Sequence, residues 1–531
     1  MPDELLTCER TDPRRWWGIG EVICLAVPSV LNMVSLTVMH FVDARMVAEL
    51  GKGVLGAQFI GGMSAFVSAT FFMGVLVCIN TYASQNLGAG RPGRAAVYGW
   101  QGIWIALSAW ALLAVLIPLA PALFALFPHS PEVRVLETRY FQVLMGGVGL
   151  ILCARAVGAF FIGIHKPVVP LAAGAVGNGV NILANYVLIF GKWGFPALGL
   201  TGAGLGTVIG SGVEALIILA FFLVGPVARR FHVRRSLCLS WRATRDLFRI
   251  GAPAGGMFLS EILMWLVFMG VIIGRFGKPH LDAAAILNRY FHLCFMPALG
   301  VSAANTALVG RYCGAGRPGV AWRRAHAALI LVEVYMVTVG LVLWLAREPL
   351  VAFFNQAGDP AVQHIATTAF LVILVVQVFD ALSVTFIGAL RGAGDTFWPG
   401  VMQVALAWGL GVGGGALVTT LRPEWGSLGA WAVVALYVSV LGVVMWRRFL
   451  GGRWRRMHVV EAAPAVTEEA SGLPPVLRGG LRISLARSVG VYPPWRAPTA
   501  PNHPKRGGYG DPPRSNGAAK LLELFPVAGV Y

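Results

Sequence analysis

The hexapeptide GAGRPG occurs twice in this chain, at residues 88–93 and again at residues 314–319. Other matched pairs keep nearly the same offset. Pro28 and Pro253 each lie inside an apolar stretch, and the tripeptide FIG at 161–163 recurs at 386–388. Solenoid repeats have periods of only a few tens of residues, so this much longer repeat indicates a whole bundle that was copied once.

The composition places this duplicated unit in a lipid bilayer. The mean hydropathy is +0.70, 57% of the residues are hydrophobic and only 12% are charged, whereas soluble proteins carry about 25% charged residues. Windows of about 20 apolar residues, enough to cross the hydrocarbon core as a helix, occur near 18–42, 54–80, 97–118, 138–163, 168–190, 201–224, 250–273, 283–309, 326–346, 363–389, 398–419 and 427–447. The sequence therefore predicts twelve transmembrane helices.

The predicted fold class is all-α, because lipid leaves helices as the sensible spanning element and no window alternates with the period of a barrel strand. Six spans in each half start both halves on the same membrane side, so the repeats should be related by an axis along the membrane normal. We expect an N-terminal six-helix lobe (1–225), a basic cytoplasmic linker (226–249), a C-terminal six-helix lobe (250–450) and a disordered tail rich in Pro, Gly and Arg (451–531).

Arginine and lysine concentrate in the loops on one side of the predicted bundle. That side carries Arg91, Lys166, Arg317 and the cluster between residues 229 and 235, whereas the other side has fewer basic residues. The positive-inside rule then predicts that both termini are cytoplasmic. The net charge of +18 is interpreted as contact with anionic lipid headgroups and not with nucleic acid.

Conventional enzyme and metal signatures are absent from the sequence. We find no HExxH, no CxxC pair, no phosphate-binding loop of the GxxxxGK[ST] type and no GxSxG. Gly202, Gly206 and Gly210 are spaced by four residues in an apolar span, which is typical of close helix packing. The GAGRPG copies have the composition of tight turns. The sequence thus argues against an enzyme, including a membrane-embedded one, and against a metal site.

Five acidic residues in or next to the predicted spans are singled out, because a charge in lipid is costly and is a functional candidate by default. They are Asp43, Glu214, Glu261, Glu333 and Asp380. By the helical rise, Glu261 lies about 12 Å from Pro253 and Asp380 about 17 Å from Arg391, near the midplane where transporters bind coupling ions. For Glu214 and Glu333 a structural role is favoured.

Asp43 lies near the outer end of the first span and has no evident cation partner on its own helix. His40 shares its helix face by the three-residue spacing, whereas Arg45 is expected to pair with Glu49, four residues on. We therefore treat Asp43 as a third candidate acid and His40 as a polar residue of the cavity.

Several stretches together resemble the multidrug and toxic compound extrusion (MATE) transporters. They are VPSVLNMVSLTVMHFVDARMVAELG at 27–51, NILANYVLIFGKWGFPALGLTGAGLGT at 181–207, Pro253 with Glu261, and Asp380 with GALRGAGDT at 388–396. The resemblance covers about residues 16–450. Asp43, Glu261 and Asp380 then match the acids of helices 1, 7 and 10, and Asn181 matches the asparagine of helix 5. Asn185, where another branch has aspartate, and the retained Glu261 are similar to the NorM branch, whereas Arg45 and Glu49 depart from the pattern.

The resemblance implies an antiporter that exports cationic or amphipathic compounds through a cleft between the lobes, driven by Na⁺ or H⁺. Asp43, Glu261 and Asp380 would couple to the cation, with Asn181, Asn185 and His40 as polar cavity residues. We expect a monomer in the bacterial inner membrane, with no cofactor beyond the coupling ion. The alternative is a lipid-linked oligosaccharide flippase of similar lobed architecture, in which we would expect cationic cavity residues.

The predicted topology can be tested by labelling single cysteines in a variant without the seven native cysteines. A cysteine at Arg234 or Arg317 should react with an impermeant maleimide only from the cytoplasm, and one at Lys278 or Arg422 only from outside, because basic loops are retained inside. The opposite accessibility would overturn the orientation.

Overall fold

The computed structural model describes residues 18–51, 53–355, 358–457 and 459–460. Twelve of its helices are long and apolar enough to cross a membrane. In the first half they are α1 (Ile19–Ala48), α2 (Val54–Gly88), α3 (Pro92–Leu113), α4 (Pro131–Gly163), α5 (Val168–Phe190) and α6 (Leu200–Leu223). In the second half they are α7 (Trp241–Phe276), α8 (Lys278–Gly314), α9 (Pro318–Leu345), α10 (Pro360–Ala393), α11 (Phe397–Leu421) and α12 (Pro423–Leu450).

The all-α class and the twelve spans are confirmed, but several helices are longer than the apolar windows. α2 continues past residue 80 to Gly88 through Asn80, Thr81, Gln85 and Asn86, which are all buried. Hydropathy cannot detect such a helix end, because its polar side chains are buried against protein and not against lipid.

The segments outside the spans differ from the predicted boundaries at two places. α7 begins at Trp241, inside the predicted linker 226–249. After α12, Trp454 is 1% exposed and stacks on Phe449 with ring centroids 4.7 Å apart, and its indole N–H donates to the Phe449 carbonyl. The ordered bundle therefore extends beyond residue 450, and the disorder predicted for the tail does not hold for its first residues. Residues 461–531 lie outside the described residues, so the rest of that prediction stays open.

Each half of the chain builds an apolar core of its own. One cluster of buried residues centres on Phe141, Phe160 and Phe222 of α4 and α6, and the other on Phe370 and Phe386 of α10 with neighbours from α7, α8 and α12. The first halves of α7 and α1 are exceptions. Leu247, Ile250 and Ala254 of α7 belong to the N-terminal core, and Val22, Leu25 and Ala26 of α1 cluster with buried residues of α8, α9 and α10. The two halves thus form two lobes, and α1 and α7 cross between them.

The lobes meet where α1 packs on α8 and, at the matching place in the repeat, α7 packs on α2. Gly300 of α8 lies against the backbone of Val30, and Gly74 of α2 lies against the backbone of Gly255. A Cβ atom at Gly74 or Gly300 would overlap the facing main chain. Small residues at equivalent positions therefore allow the two helix pairs to approach closely, as is common between membrane helices.

Hydrogen bonds join the lobes next to the two GAGRPG loops. The bundle has two ends, and we call the end that carries these loops and the linker the arginine-rich face. Near it the side chains of Asn80, Thr81 and Gln85 each donate to a backbone carbonyl of the other lobe, those of Ala303, Arg391 and Gly392, at 2.9 Å. Within the described residues, every hydrogen bond between the lobes lies in this half of the bundle. The lobes are therefore closed at the arginine-rich face.

His165, in the turn between α4 and α5, takes part in the same closure. A ring nitrogen lies 3.3 Å from the Ala307 carbonyl oxygen, and the other lies 3.3 Å from the Arg311 guanidinium. Burial, and secondly the charge of Arg311, lower the pKa of His165 to about 3. The imidazole is therefore neutral at physiological pH, which suits a ring packed against a guanidinium.

A buried ion pair also spans the lobes at this face. Arg324 of α9 is 1% exposed, and its Nε lies 2.7 Å from a carboxylate oxygen of Glu21 on α1. The hydroxyl of Tyr312, on α8, lies 2.9 Å and 3.0 Å from the two oxygens of the same carboxylate. Gly18 lies against the guanidinium with a φ of 75°, and a Cβ there would overlap Arg324. The pair holds α1 to α8 and α9.

We expect Glu21→Gln to weaken the closure, because it removes the charge of the carboxylate that lies 2.7 Å from Nε of the buried Arg324. Breaking one side of a buried ion pair costs about 3 kcal/mol, which corresponds to about a hundred-fold shift in population. Spin labels at Arg94 and Arg317 should then report a longer distance between the lobes in pulsed electron resonance. The double variant Glu21→Gln/Arg324→Gln should recover part of the short distance. An unchanged distance distribution in Glu21→Gln would contradict this role.

Candidate functional site

The polar site of the N-terminal lobe depends on the glycine face of α6. Gly206 lies directly against Asn185 of α5, and Gly210 against Asn181, so closely that a Cβ at either glycine would overlap the asparagine. The spacing of these glycines predicted close packing, and the structure confirms it. The two glycines have no side chains and so leave room for both asparagines. Asn185 is 0% exposed and Asn181 is 1% exposed.

Asp43 joins this group from α1. The amide of Asn185 donates to Asp43 Oδ1 at 2.7 Å and also lies 3.3 Å from Asn181 Oδ1. The amide of Asn181 lies 3.4 Å from the hydroxyl of Thr207 on α6. The structure thus brings Asp43, Asn181 and Asn185 into one chain of hydrogen bonds, although they are far apart in sequence.

Two members of this group were missed by the sequence analysis. The Tyr140 hydroxyl of α4 lies close to the side chains of Gln58 and Thr207 and near enough to Asp43 to sense its charge. A tyrosine and a threonine inside apolar spans give no signal by themselves, because such side chains are common in membrane helices. Only the packing of α4 against α6 and α2 reveals them.

His40 and the outer end of α1 behave differently from Asp43. His40 is exposed, and within the described residues no hydrogen bond joins it to the Asp43 group. Arg45 and Glu49 form the predicted pair on one helix, with N and O atoms 3.6 Å apart, and both side chains are at least half exposed. These residues therefore lie outside the buried polar group.

The polar site of the C-terminal lobe is built by α7, α10, α11 and α12. Gln403 of α11 donates to a carboxylate oxygen of Glu261 on α7 at 3.1 Å. On α10, the hydroxyl of Ser383 donates to Asp380 Oδ1 at 2.9 Å. Asp380 and Glu261 are close enough for their charges to interact. The hydroxyl of Tyr437 on α12 lies within the same electrostatic range of both carboxylates. The structure thus places the two predicted mid-span acids in one site.

Both helices that carry the Glu261–Gln403 contact change their winding beyond it. α7 widens to a π-helix at Phe268–Ile272, and α11 widens at Ala407–Gly414. Such segments often occur at functional sites, because they free backbone groups and redirect the residues around them.

The C-terminal site contains oxygen atoms with unused capacity to bind a cation. Asp380 Oδ2 and Gln403 Oε1 are both buried, and neither has a hydrogen-bond partner in the described part of the chain. A buried acceptor without a protein partner is costly, so a water, an ion or a proton donor is expected to satisfy it. Carboxylate and amide oxygens are the donor set that hard cations prefer. This arrangement can hold a small cation or a proton among Glu261, Asp380 and Gln403.

The two polar sites lie in different lobes. No hydrogen bond among the described residues links the Asp43 group with the Glu261–Asp380 group. Two other mid-span acids lie outside both groups. Glu214 packs against Gly177 near the Asp43 group. One carboxylate oxygen of Glu333 is buried and has no hydrogen-bond partner among the described residues. Clusters of three or more His, Cys, Asp or Glu side chains that could hold a metal do not occur in the described ranges.

Comparisons with known proteins agree with this architecture. A family model described as MatE matches residues 28–187 and 253–417, one copy in each half. A probable multidrug resistance protein NorM of Xanthomonas axonopodis pv. citri is 30% identical over 429 residues, which cover 80% of this chain and 92% of that protein. The protein of the same name from Thermotoga maritima is 26% identical over 83% of this chain and 94% of its own length.

Solved structures share the fold. The outward-facing conformation of a multidrug resistance MATE family transporter superimposes with a TM-score of 0.75 over 83% of this chain and 96% of that one, at 18% sequence identity. The eukaryotic MATE transporter AtDTX14 gives a TM-score of 0.73 at 17% identity, over 82% of this chain and 96% of its own. Matches to the family model in both halves, together with relatives aligned over most of their length, show that the chain belongs to the MatE family of multidrug and toxic compound extrusion transporters and is not an enzyme.

Proposed function

We propose that the protein is a secondary active antiporter that exports cationic or amphipathic compounds in exchange for Na⁺ or H⁺. The observation that supports this most directly is the paired acids of the C-terminal lobe. Glu261 and Asp380 lie near each other inside the bundle, and Asp380 Oδ2 is buried without a hydrogen-bond partner in the described residues. Two ionised carboxylates repel each other, and a shared cation or proton relieves the repulsion.

Coupling then follows from competition for these carboxylates. An unpaired charge in a low-dielectric site costs several kcal/mol, so the acids should hold either the coupling ion or the positive group of a substrate. Gln403 keeps Glu261 oriented through the 3.1 Å hydrogen bond and can contribute its own Oε1 to the cation. Entry of the coupling ion would displace the substrate, and no cofactor is needed.

Asp43 is suited to a second role in the N-terminal lobe. Its carboxylate is already bonded to Asn185, which in turn contacts Asn181. We infer that protonation or cation binding at Asp43 reorganises this chain of hydrogen bonds and so changes the packing of α1 against α5 and α6. The exposed His40 would line the route to this site.

The closed arginine-rich face defines the step of the transport cycle to which the described conformation belongs. By the positive-inside rule this face is cytoplasmic in the bacterial inner membrane, with both termini on that side. The described conformation is then closed to the cytoplasm, and alternating access requires the lobes to part at Asn80, Thr81 and Gln85 and close at the opposite end. A single chain contains both lobes and both sites, so a monomer is sufficient. Acidic rather than basic mid-span residues at the C-terminal site disfavour the pyrophosphate substrate of an oligosaccharide flippase.

We expect Glu261→Gln and Asp380→Asn each to reduce gradient-driven export about thirty-fold or more. Either change removes one of the two carboxylates that would pair with the bound cation, and loss of one side of a buried pair of opposite charges costs about 2 kcal/mol or more. The double variant should be little worse than either single variant, because residues that act as a unit are not additive. The measurement is uptake of a fluorescent cationic dye into inverted proteoliposomes after a Na⁺ jump or a pH jump.

Glu214→Gln is the matched control, since it also removes a mid-span acid but leaves the C-terminal site intact. It should keep most of the export at equal protein abundance. The assignment of the site is wrong if this control loses export as completely as the pair, or if Glu261→Gln and Asp380→Asn retain export that depends on the gradient. Comparing the Na⁺ jump with the pH jump identifies the coupling ion.

A further inference from the structure

The segment that connects the two lobes has an unusual charge. Residues 224–245 contain six arginines, and the sequence has no Asp or Glu between Glu214 and Asp246. The segment lies on the arginine-rich face between the end of α6 at Leu223 and the first turn of α7 at Trp241. It therefore runs at the level where two membrane-spanning helices leave the hydrocarbon core.

The segment is fixed to the N-terminal lobe and is not a loose tether. Phe231 and Val233 are 2% and 0% exposed, and the indole N–H of Trp100 donates to the Val233 carbonyl at 2.9 Å. The fully buried Gln101 of α3 fixes the remainder of the segment through hydrogen bonds. Its amide donates to the Cys238 carbonyl at 2.7 Å, and its oxygen accepts from the Ser240 N–H and the Thr244 hydroxyl.

This anchoring turns the arginines outward. Arg229, Arg230, Arg234 and Arg235 are all exposed. Nε of Arg234 donates to the Leu223 carbonyl at 2.9 Å and so caps the end of α6. The guanidinium groups of the other three make no hydrogen bond or ion pair with the part of the chain that the structure describes. A fixed backbone thus presents exposed cations that form no ion pair with the described residues.

Apolar side chains are exposed in the same segment. Val224 is 58% exposed, Leu237 54%, Leu239 74% and Trp241 81%. They lie beside the arginines at the ends of α6 and α7. Leucine and tryptophan at this level insert into the boundary between acyl chains and headgroups, and adjacent arginines reach the phosphates. Cations alone would suit any polyanion, but cations interleaved with exposed apolar side chains at a span end suit a lipid.

We propose that residues 224–245 form a binding surface for anionic phospholipid headgroups. The arginines pair with headgroup phosphates, while Leu237, Leu239 and Trp241 enter the interfacial layer. Because Gln101 and Trp100 hold the segment in place, the surface is preorganised in the N-terminal lobe and continues directly into α7, the helix that carries Glu261.

The test titrates the full-length protein in detergent with phosphatidylglycerol or phosphatidylcholine and counts bound lipids by native mass spectrometry. The unmodified protein should bind phosphatidylglycerol more tightly. The triple variant Arg229→Gln/Arg230→Gln/Arg235→Gln should lose this preference, with an affinity lower by about five-fold per arginine removed. Arg234 is left unchanged because it caps α6.

A matched control removes three exposed arginines from the opposite face, namely Arg45, Arg275 and Arg422, by the same change to glutamine. It should keep the preference for phosphatidylglycerol. The variant Leu239→Ser/Trp241→Ser should weaken binding of both lipids at this surface while the preference between them remains. Inorganic phosphate at matched ionic strength should not displace the lipid.

Three results would overturn the proposal. They are an unchanged preference in the triple arginine variant, an equal loss in the opposite-face control, and displacement of phosphatidylglycerol by inorganic phosphate. The last result would show a general anion site and not a lipid surface. Thermal unfolding of each variant in detergent without added lipid checks that the bundle is intact, so that a loss of lipid binding is not a loss of fold.

Discussion

Gly88 and Gly314 leave no space for a side chain where the two lobes cross, and the rest of the closed structure depends on this contact. Gly88 lies against the main chain of Arg311, and Gly314 lies in the equivalent way against that of Gln85. The close approach brings the donors of α2 within reach of carbonyls in α8 and α10. The same approach keeps the lobes closed at one face while their acids remain inside the bundle, in separate polar groups.

The buried acids of the two lobes have different hydrogen-bond partners, although the lobes are copies of one repeat. In the N-terminal lobe, Asp43 is bonded to an asparagine that is itself bonded to a second one. In the C-terminal lobe, Ser383 satisfies one oxygen of Asp380 and the other is left unsatisfied by the described residues. Asn185 Oδ1 in the N-terminal group is also buried without a hydrogen-bond partner among the described residues, so the two groups differ in that the unsatisfied oxygen belongs to an amide in one lobe and to a carboxylate in the other.

The internal repeat and the apolar windows were sufficient to predict the twelve helices, because burial in lipid leaves a strong hydropathy signal. The cost of a charge in lipid likewise singled out Glu261 and Asp380. Gln403 and Tyr437 were not predicted, since neutral polar side chains cost much less and their role depends on which helices are neighbours. The pair of Glu21 with Arg324 was missed because each lies near a predicted span end, where a charge looks as though it could reach water.

Three of the donors that close the arginine-rich face, Asn80, Thr81 and Gln85, bond to backbone carbonyls and not to side chains. A helix carbonyl that already accepts a bond within its own chain segment has a second lone pair. The Arg391 carbonyl accepts from the Gly394 N–H, and Ala303 lies inside α8, so neither carbonyl becomes unsatisfied when Thr81 or Asn80 withdraws. Gly392 lies in the last turn of α10, where water can replace Gln85. Water can take over each contact in turn, and such a bond is worth only about 1 kcal/mol net. These three contacts can therefore open one at a time at a small cost, and no helix has to unwind when they form again. The buried pair of Glu21 with Arg324 is the costlier part of the closure.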